Sequence, residues 1–183
     1  MLTKVLSAAH FGLKTIPVEV EVNISTRGFP GFDIIGLPSK AVEEAKERVK
    51  TALVNSGIAF PTAKIVVNLA PADLPKEGAC FDLPIAMGII QTLEICPAPK
   101  NKSYFYGELS LDGSLRHSKG VLLLAISAKE NRIKNLFVPY LSANEAAVIK
   151  SINVYPVKSL KQLVGHLNQL EEIKRLALSL IHI

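Results

Sequence analysis

The sequence has little cysteine, no long apolar run and no nucleotide-binding loop. Its 183 residues include two cysteines, Cys80 and Cys96, too few for a disulfide framework, and no Cys or His cluster has zinc spacing. No apolar stretch reaches the ~20 residues of a membrane span, and the first residues lack the features of a secretory signal. Nothing matches Gly-x-x-x-x-Gly-Lys-Ser/Thr, so we expect no ATP binding by this chain. These absences predict a cytoplasmic protein with reduced thiols, no metal site and no membrane contact.

The composition is that of a globular domain. Hydrophobic residues make up 49% of the chain and charged residues 20%, and 183 residues usually form one domain with a sizeable core. The net charge of +5 permits contact with nucleic acid. The basic residues are scattered and often stand beside glutamates, so charge alone leaves DNA binding undecided.

Hydrophobic periodicity predicts strands that alternate with helices. Strands are expected at 4–9, 18–24, 32–35, 65–67, 104–109, 114–116, 136–138 and 154–157, the first two pairing with each other. Helices are expected at 39–53, with Ser39 as N-cap, at 82–93, 120–130 and 143–149, and from Ser159 onward. This order predicts an α/β (α+β) domain of two layers, with helices packed on a mixed sheet.

The longest irregular connection joins the strand at 65–67 to the helix at 82–93. The strand stops at Asn68, and Pro71, Pro75 and Gly78 forbid regular structure in between. Three carboxylates follow the strand, and they raise the alternatives of acid/base or metal chemistry and of local structural roles. We favour the structural roles, because Asp82 is placed to cap the helix and Asp73 to bond its own loop backbone; the third carboxylate is Glu77.

This connection carries a family resemblance. Its residues Asn68, Asp73, Lys76, Glu77, Gly78 and Asp82, the segments 31–38 and 107–109, and the stretch from Asp112–Gly113 to Gly120 stand in the order typical of one family. Over residues 1–165 the chain resembles the amino-terminal domain of Mg-chelatase-like AAA+ ATPases of the ComM/YifB type. The resemblance implies a Lon-protease-domain-like, ribosomal-protein domain-2-like fold. It also implies a parent protein that assembles into a homo-oligomeric ring, binds ATP and Mg, and moves DNA, as in branch migration during natural transformation.

The family's domain is itself similar to the Lon proteolytic domain, which uses a Ser-Lys dyad. Lon's Lys-Asp-Gly-Pro-Ser-Ala-Gly pattern resembles residues 76–82 and puts Cys80 at the position of the nucleophile. Counting from Gly113 through Gly120 puts Leu122 at the position of the lysine, and leucine cannot accept a proton. We therefore predict a non-catalytic domain in which Cys80 packs where the loop meets the helix. Two alternatives stay open: a peptidase using Cys80, and a chelatase-type motor subunit acting on a protein or metal-insertion partner.

A second candidate site is a basic turn. Residues 116–120, Arg-His-Ser-Lys-Gly, stand where the family usually has Arg-Pro-x-Arg-Gly. The turn keeps two cations, Arg116 and Lys119, at the end of a predicted strand and the start of a helix, where they can contact phosphate. A solvated turn is the alternative.

The carboxyl-terminal residues suggest a truncated gene. Residues 166–177 are expected to lead toward a missing AAA+ module. Residues 178–183, Leu-Ser-Leu-Ile-His-Ile, read like the translation of a transposon mosaic-end adapter from sequencing libraries, so we expect them to be foreign.

Overall fold

The computed structural model describes residues 2–176. Within them the elements follow the predicted alternation of strands and helices. The strands are β1 (Leu2–Phe11), β2 (Lys14–Ser25), β3 (Gly31–Ile35), β4 (Lys64–Ala70), β5 (Ser103–Phe105), β6 (Asn135–Pro139) and β7 (Asn153–Val157). The helices are α1 (Lys40–Glu43), α2 (Ala45–Asn55), α3 (Asp82–Thr92), α4 (Val121–Glu130), α5 (Ala143–Ala147) and α6 (Leu160–Leu167).

The strands form one mixed, seven-stranded sheet in the order β3-β4-β2-β1-β5-β6-β7. The predicted pairing of the first two strands is confirmed, because β1 and β2 form an antiparallel hairpin with Val5 opposite Val20. β4 is antiparallel to β2, while β3 runs parallel to β4. β5, β6 and β7 continue the sheet in parallel from β1. β3 and β7 are therefore the two edges.

Two hydrophobic clusters lie on opposite faces of the sheet. Along β5 the side chains alternate: Phe105 joins the cluster beneath α2, α3 and α6, and Tyr104 joins the cluster beneath α4 and α5. β4 buries every second residue, Ile65, Val67 and Leu69, against the first cluster only, while its other face is half-buried. The predicted α/β class with a mixed sheet is confirmed. Helices cover one face at the β3-β4 side, as in a two-layer domain, and both faces around β5 to β7.

Three of the predicted elements differ in the structure. The single helix expected at 39–53 is divided at Glu44 into α1 and α2. The strand expected at 104–109 ends at Phe105, and 114–116 is not a strand, since Ser114 and Leu115 form only isolated bridges. Tyr106 N still donates to Phe137 O on β6, but from Gly107 onward the backbone turns to the start of α3: Gly107 N donates to Cys80 O and Gly107 O accepts from Leu83 N. These bonds fix the loop that follows β5 against α3.

The last described residues pack against the sheet. α6 begins after Ser159, whose hydroxyl accepts from Gln162 N as an N-cap. Beyond it, Ile173 is buried and Leu176 N donates to Val154 O at 2.8 Å. The predicted foreign segment 178–183 lies outside the described residues. Among residues 2–176, no helix is both long enough and apolar enough to cross a membrane.

Candidate functional site

The connection between β4 and α3 is anchored by a buried lysine. Lys76 pairs through its backbone with the turn after β3, donating to Leu37 O and accepting from Ser39 N. Its side chain is fully buried, and Nζ donates to Gly36 O at 2.9 Å and to Pro71 O. Burial lowers the pKa of Lys76. The ammonium therefore satisfies backbone carbonyls on both sides of the loop, and it faces neither solvent nor a ligand-sized opening.

The side chain of Asp82 pairs with an arginine and does not cap its helix. Asp82 is the first residue of α3, and the N-cap position is Phe81, with no side-chain capping bond. Arg48 donates from Nε to Oδ2 at 2.7 Å and from Nη2 to Oδ1 at 3.0 Å, and Leu109 N donates to Oδ2 at 3.2 Å. Burial raises the pKa of Asp82, and the bonds from Arg48 oppose that rise. The predicted capping role is therefore wrong, because the carboxylate joins α2, α3 and the loop after β5.

Arg48 is the residue that sequence reasoning missed at this site. It lies among the charged residues of α2, yet its side chain is only 21% exposed, and its Nη2 also donates to Ala41 O at 2.9 Å. The partner carboxylate stands 34 residues away. No local pattern signals such a pair.

The three loop carboxylates do not converge. Asp73 and Glu77 are exposed, whereas Asp82 is fully buried beside Arg48. Asn68 points to a different partner, donating from Nδ2 to Glu21 Oε2 at 2.8 Å on β2. Among residues 2–176, no group of three or more His, Cys, Asp or Glu side chains is arranged to hold a metal ion. The geometry thus offers neither a carboxylate dyad nor a metal cage in this loop.

Cys80 packs where the loop meets α3. It lies in a single 3₁₀ turn, Ala79–Phe81, and contacts both hydrophobic clusters, while its Sγ is 3.8 Å from Glu77 O. Burial raises the pKa of the Cys80 thiol to about 12, so the thiolate needed for nucleophilic attack is scarce at neutral pH. Leu122, at the position of the Lon lysine, is 40% exposed on α4. Neither Lon-like position carries an activated group.

Tyr106 is a polar neighbour of the Cys80 thiol, and His10 packs against Tyr106. The Tyr106 hydroxyl interacts with the thiol and donates to Lys119 O at 2.9 Å, and burial raises the pKa of Tyr106. The His10 ring meets the Tyr106 ring edge-on at 5.6 Å, and its Nδ1 is 2.9 Å from Thr15 Oγ1. Burial lowers the pKa of His10, so this imidazole is neutral at pH 7. Within residues 2–176, His10 has no hydrogen bond to Cys80, which therefore lacks a general base.

This arrangement predicts an unreactive thiol. Because the pKa of Cys80 is raised to about 12, alkylation by iodoacetamide at pH 8 should be slower than that of free cysteine by roughly 10³-fold. The pKa of Cys96 is likewise raised by burial, to about 11. Mass spectrometry of each cysteine peptide over time measures both rates, and the urea-unfolded chain is the control that restores normal reactivity. Rapid labelling of Cys80 in the folded protein would contradict the assignment.

The basic turn is exposed but partly neutralised. Arg116 donates from Nε to Ser110 Oγ at 2.8 Å and lies 3.8 Å from Glu108 Oε1. Lys119 is exposed immediately before Gly120, the N-cap of α4. The structure therefore leaves both cations accessible to phosphate, and their predicted DNA contact stays a prediction.

Comparison with known proteins identifies one matching family and several similar proteins. The family described as "Subunit ChlI of Mg-chelatase" matches residues 20–142, from β2 to the turn before α5. Competence protein ComM of Haemophilus influenzae is 41% identical over 94% of this chain and 34% of its own length. Uncharacterized protein YifB of Escherichia coli is 45% identical over 69% of this chain and 25% of its own length. Lon protease 2 of Bacillus subtilis is 26% identical over 76% of this chain and 26% of its own length.

The chain thus spans about a third or less of the length of these curated relatives. The resemblance to ComM extends over nearly the whole chain, and the weaker one to a Lon protease agrees with the mixed α/β fold. The chain belongs to the family of the ChlI subunit of Mg-chelatase, as a relative of ComM and YifB.

Proposed function

We propose that this domain is the non-catalytic amino-terminal module of a ComM/YifB-like AAA+ ATPase of the Mg-chelatase family. In this proposal the intact protein works in the cytoplasm as a homo-oligomeric ring and uses ATP to process DNA, as in branch migration during transformation. The observation that carries the proposal is the 41% identity to ComM over 94% of this chain. Residues 166–177 lead to the AAA+ module in cis.

The chemistry of the domain supports a non-catalytic role. A peptidase of the Lon type needs a nucleophile and a proton acceptor, and here the Cys80 thiol is held protonated and Leu122 cannot accept a proton. Lys76 and Asp82, which belong to the same loop motif, hold the fold together through Gly36 O and Arg48. In this proposal the residues of the loop have a structural role and take part in no reaction.

We propose that ATP and Mg²⁺ bind outside residues 2–176. The sequence contains no phosphate-binding loop, and residues 2–176 contain no acidic cluster suited to a cation. We assign both to the AAA+ module of the intact protein.

The test uses the intact parent gene. We expect the protein encoded by that gene to hydrolyse ATP, and to do so faster when single-stranded or forked DNA is added. The reason is that a motor that moves on DNA couples ATP hydrolysis to DNA binding. The 183-residue chain alone is the control and should show no ATP hydrolysis. ATP hydrolysis that is indifferent to DNA, but stimulated by a protein partner, would favour the chelatase-type motor instead.

A further inference from the structure

The loop that enters the edge strand β3 presents an isolated aromatic ring. Residues 26–30 are all exposed, and Phe29 is 93% exposed between Gly28 and Pro30. Thr26 and Arg27 precede Phe29 in the chain, so an exposed cation stands on the same short loop. Single exposed apolar side chains are common on protein surfaces, so only the neighbouring residues can indicate that this ring belongs to a binding site.

A cleft opens next to this loop. It is lined by Pro30, Phe32, Lys46, Lys50, Phe60 and Thr62 among others. The rings of Phe32 and Phe60 lie 5.7 Å apart at an angle of 37°. Lys50 Nζ stands 5.9 Å from the centre of the Phe60 ring. The cleft thus combines aromatic surface with ammonium groups placed one helical turn apart on α2.

The charge around the cleft is positive. Lys64 is neutralised by its ion pair with Asp33. Among residues 2–176, the side chains of Arg27, Lys46 and Lys50 form no ion pair within 4.0 Å. Glu47 is the one acidic residue lining the cleft. The cleft lining carries two lysines against one carboxylate, and Arg27 lies on the adjoining loop. This balance of charge favours an anionic partner.

We propose that this cleft and the Phe29 loop bind single-stranded nucleic acid. Phe29 offers a free ring face for stacking an unpaired base, and Arg27, Lys46 and Lys50 contact the phosphates on either side. Every base has a face that can stack, so this surface reads a single strand without reading its sequence. The proposal deepens the DNA-processing role given above and rests on it for the choice of partner. An acidic peptide is the competing occupant, and the experiments below distinguish it from a single strand.

This surface differs from the basic turn at Arg116 and Lys119. It is built from the β2-β3 loop, α2 and residues 60–63, whereas the basic turn precedes α4. Each surface can therefore be removed without altering the other. Variants at both turn residues serve as an independent arm of the test.

The test measures fluorescence anisotropy of labelled oligothymidylate, oligouridylate and duplex DNA against the 183-residue chain over a range of salt concentrations. Phe29→Ala should weaken single-strand binding by roughly tenfold and leave the salt slope unchanged, since it removes stacking and no charge. Phe29→Trp should retain binding. Lys46→Gln with Lys50→Gln should reduce the slope of log affinity against log salt by about 1.4, because each phosphate contact on a single strand contributes about 0.7.

The matched control is Lys129→Gln with Lys134→Gln. These lysines are exposed near the end of α4 and before β6, and their loss changes net charge by the same amount. The control pair should leave the salt slope unchanged. Thermal melts verify folding, and Phe29 variants should melt like the wild type because the side chain is exposed. Equal affinity for the two oligonucleotides supports single-strand binding in general, and preference for one identifies DNA or RNA within the proposal.

Several results would overturn the proposal. One is an equal effect of the control pair, which would show that net charge alone drives binding; another is loss of all binding in Arg116→Ala with Lys119→Ala. Full binding by Phe29→Leu together with displacement by a polyglutamate peptide would assign the cleft to acidic peptides. If DNA still stimulates ATP hydrolysis by the intact parent carrying Phe29→Ala, with unchanged DNA affinity, the cleft proposal fails and the proposed function stands.

Discussion

Asp82→Ala should lower the free energy of unfolding by about 3–5 kcal/mol, the usual cost of breaking a buried ion pair from one side. The substitution leaves the Arg48 guanidinium, 21% exposed, without its two bonds to the carboxylate. It also removes the acceptor of the buried Leu109 N–H. Urea unfolding followed by circular dichroism measures the loss, with the slope of the transition reporting whether unfolding stays two-state.

Glu44→Ala is the matched control for this prediction. Glu44 contacts the same Arg48 at 3.8 Å, but its side chain is 58% exposed. A pair screened by water contributes little, so we expect a change within about 0.5 kcal/mol. Asp82→Ala combined with Arg48→Leu should cost less than the sum of the single variants, because it leaves no unpaired buried charge. Additive losses, or a loss for Asp82→Ala as small as that for Glu44→Ala, would contradict the assignment.

Gly36→Ala should destabilise the domain by about 2–5 kcal/mol. Gly36 has a φ of +96°, and an added Cβ would lie 2.3 Å from Leu69 O and 2.9 Å from Leu69 C and N. The contact is with backbone of β4, which cannot rotate away as a side chain can. Strain at positive φ contributes about 1–2 kcal/mol and overpacking about 1–3 kcal/mol. Because Gly36 O also accepts from Lys76 Nζ, a shift of this turn would loosen the β4-α3 loop.

Gly57→Ala separates the two contributions. Gly57 ends the α2 segment with a φ of +81°, and nothing lies within 4 Å of its added Cβ. It therefore carries the backbone strain without the clash, and we expect a loss of about 1 kcal/mol. Thermal and urea unfolding of both variants give the difference. Equal losses at the two glycines would show that β4 yields to the new methyl group and that strain alone matters.

The charged residues Lys76 and Asp82 of the connection between β4 and α3 have structural roles. From the sequence, Asp82 is one of three carboxylates that raise acid/base or metal chemistry, and Lys76 belongs to the same loop motif. In the fold, Lys76 bonds backbone carbonyls and Asp82 bonds Arg48. The family's similarity to Lon thus extends to the architecture, while Cys80 and Leu122 lack the paired ionisable groups that catalysis requires.

The sequence by itself determined the α/β class, the hairpin of β1 and β2, and the helix starting after Ser159. In each case the signal is local: alternating burial in β2, a hydroxyl that caps α6, and motifs that stand in family order. Such features follow from the backbone geometry of neighbouring residues, so a linear pattern records them.

The tertiary structure alone decided the pairing of Arg48 with Asp82, the burial of Lys76, and the absence of a strand at 114–116. Each depends on which distant backbone or side chain arrives beside the residue: Arg48 meets a carboxylate 34 positions away, and Lys76 meets Gly36 O 40 positions away. A charged residue has the same sequence signature whether it faces water or a buried partner. Tertiary packing decides between these two environments, because a charged side chain is buried only where groups that can hydrogen-bond it or neutralise its charge lie beside it.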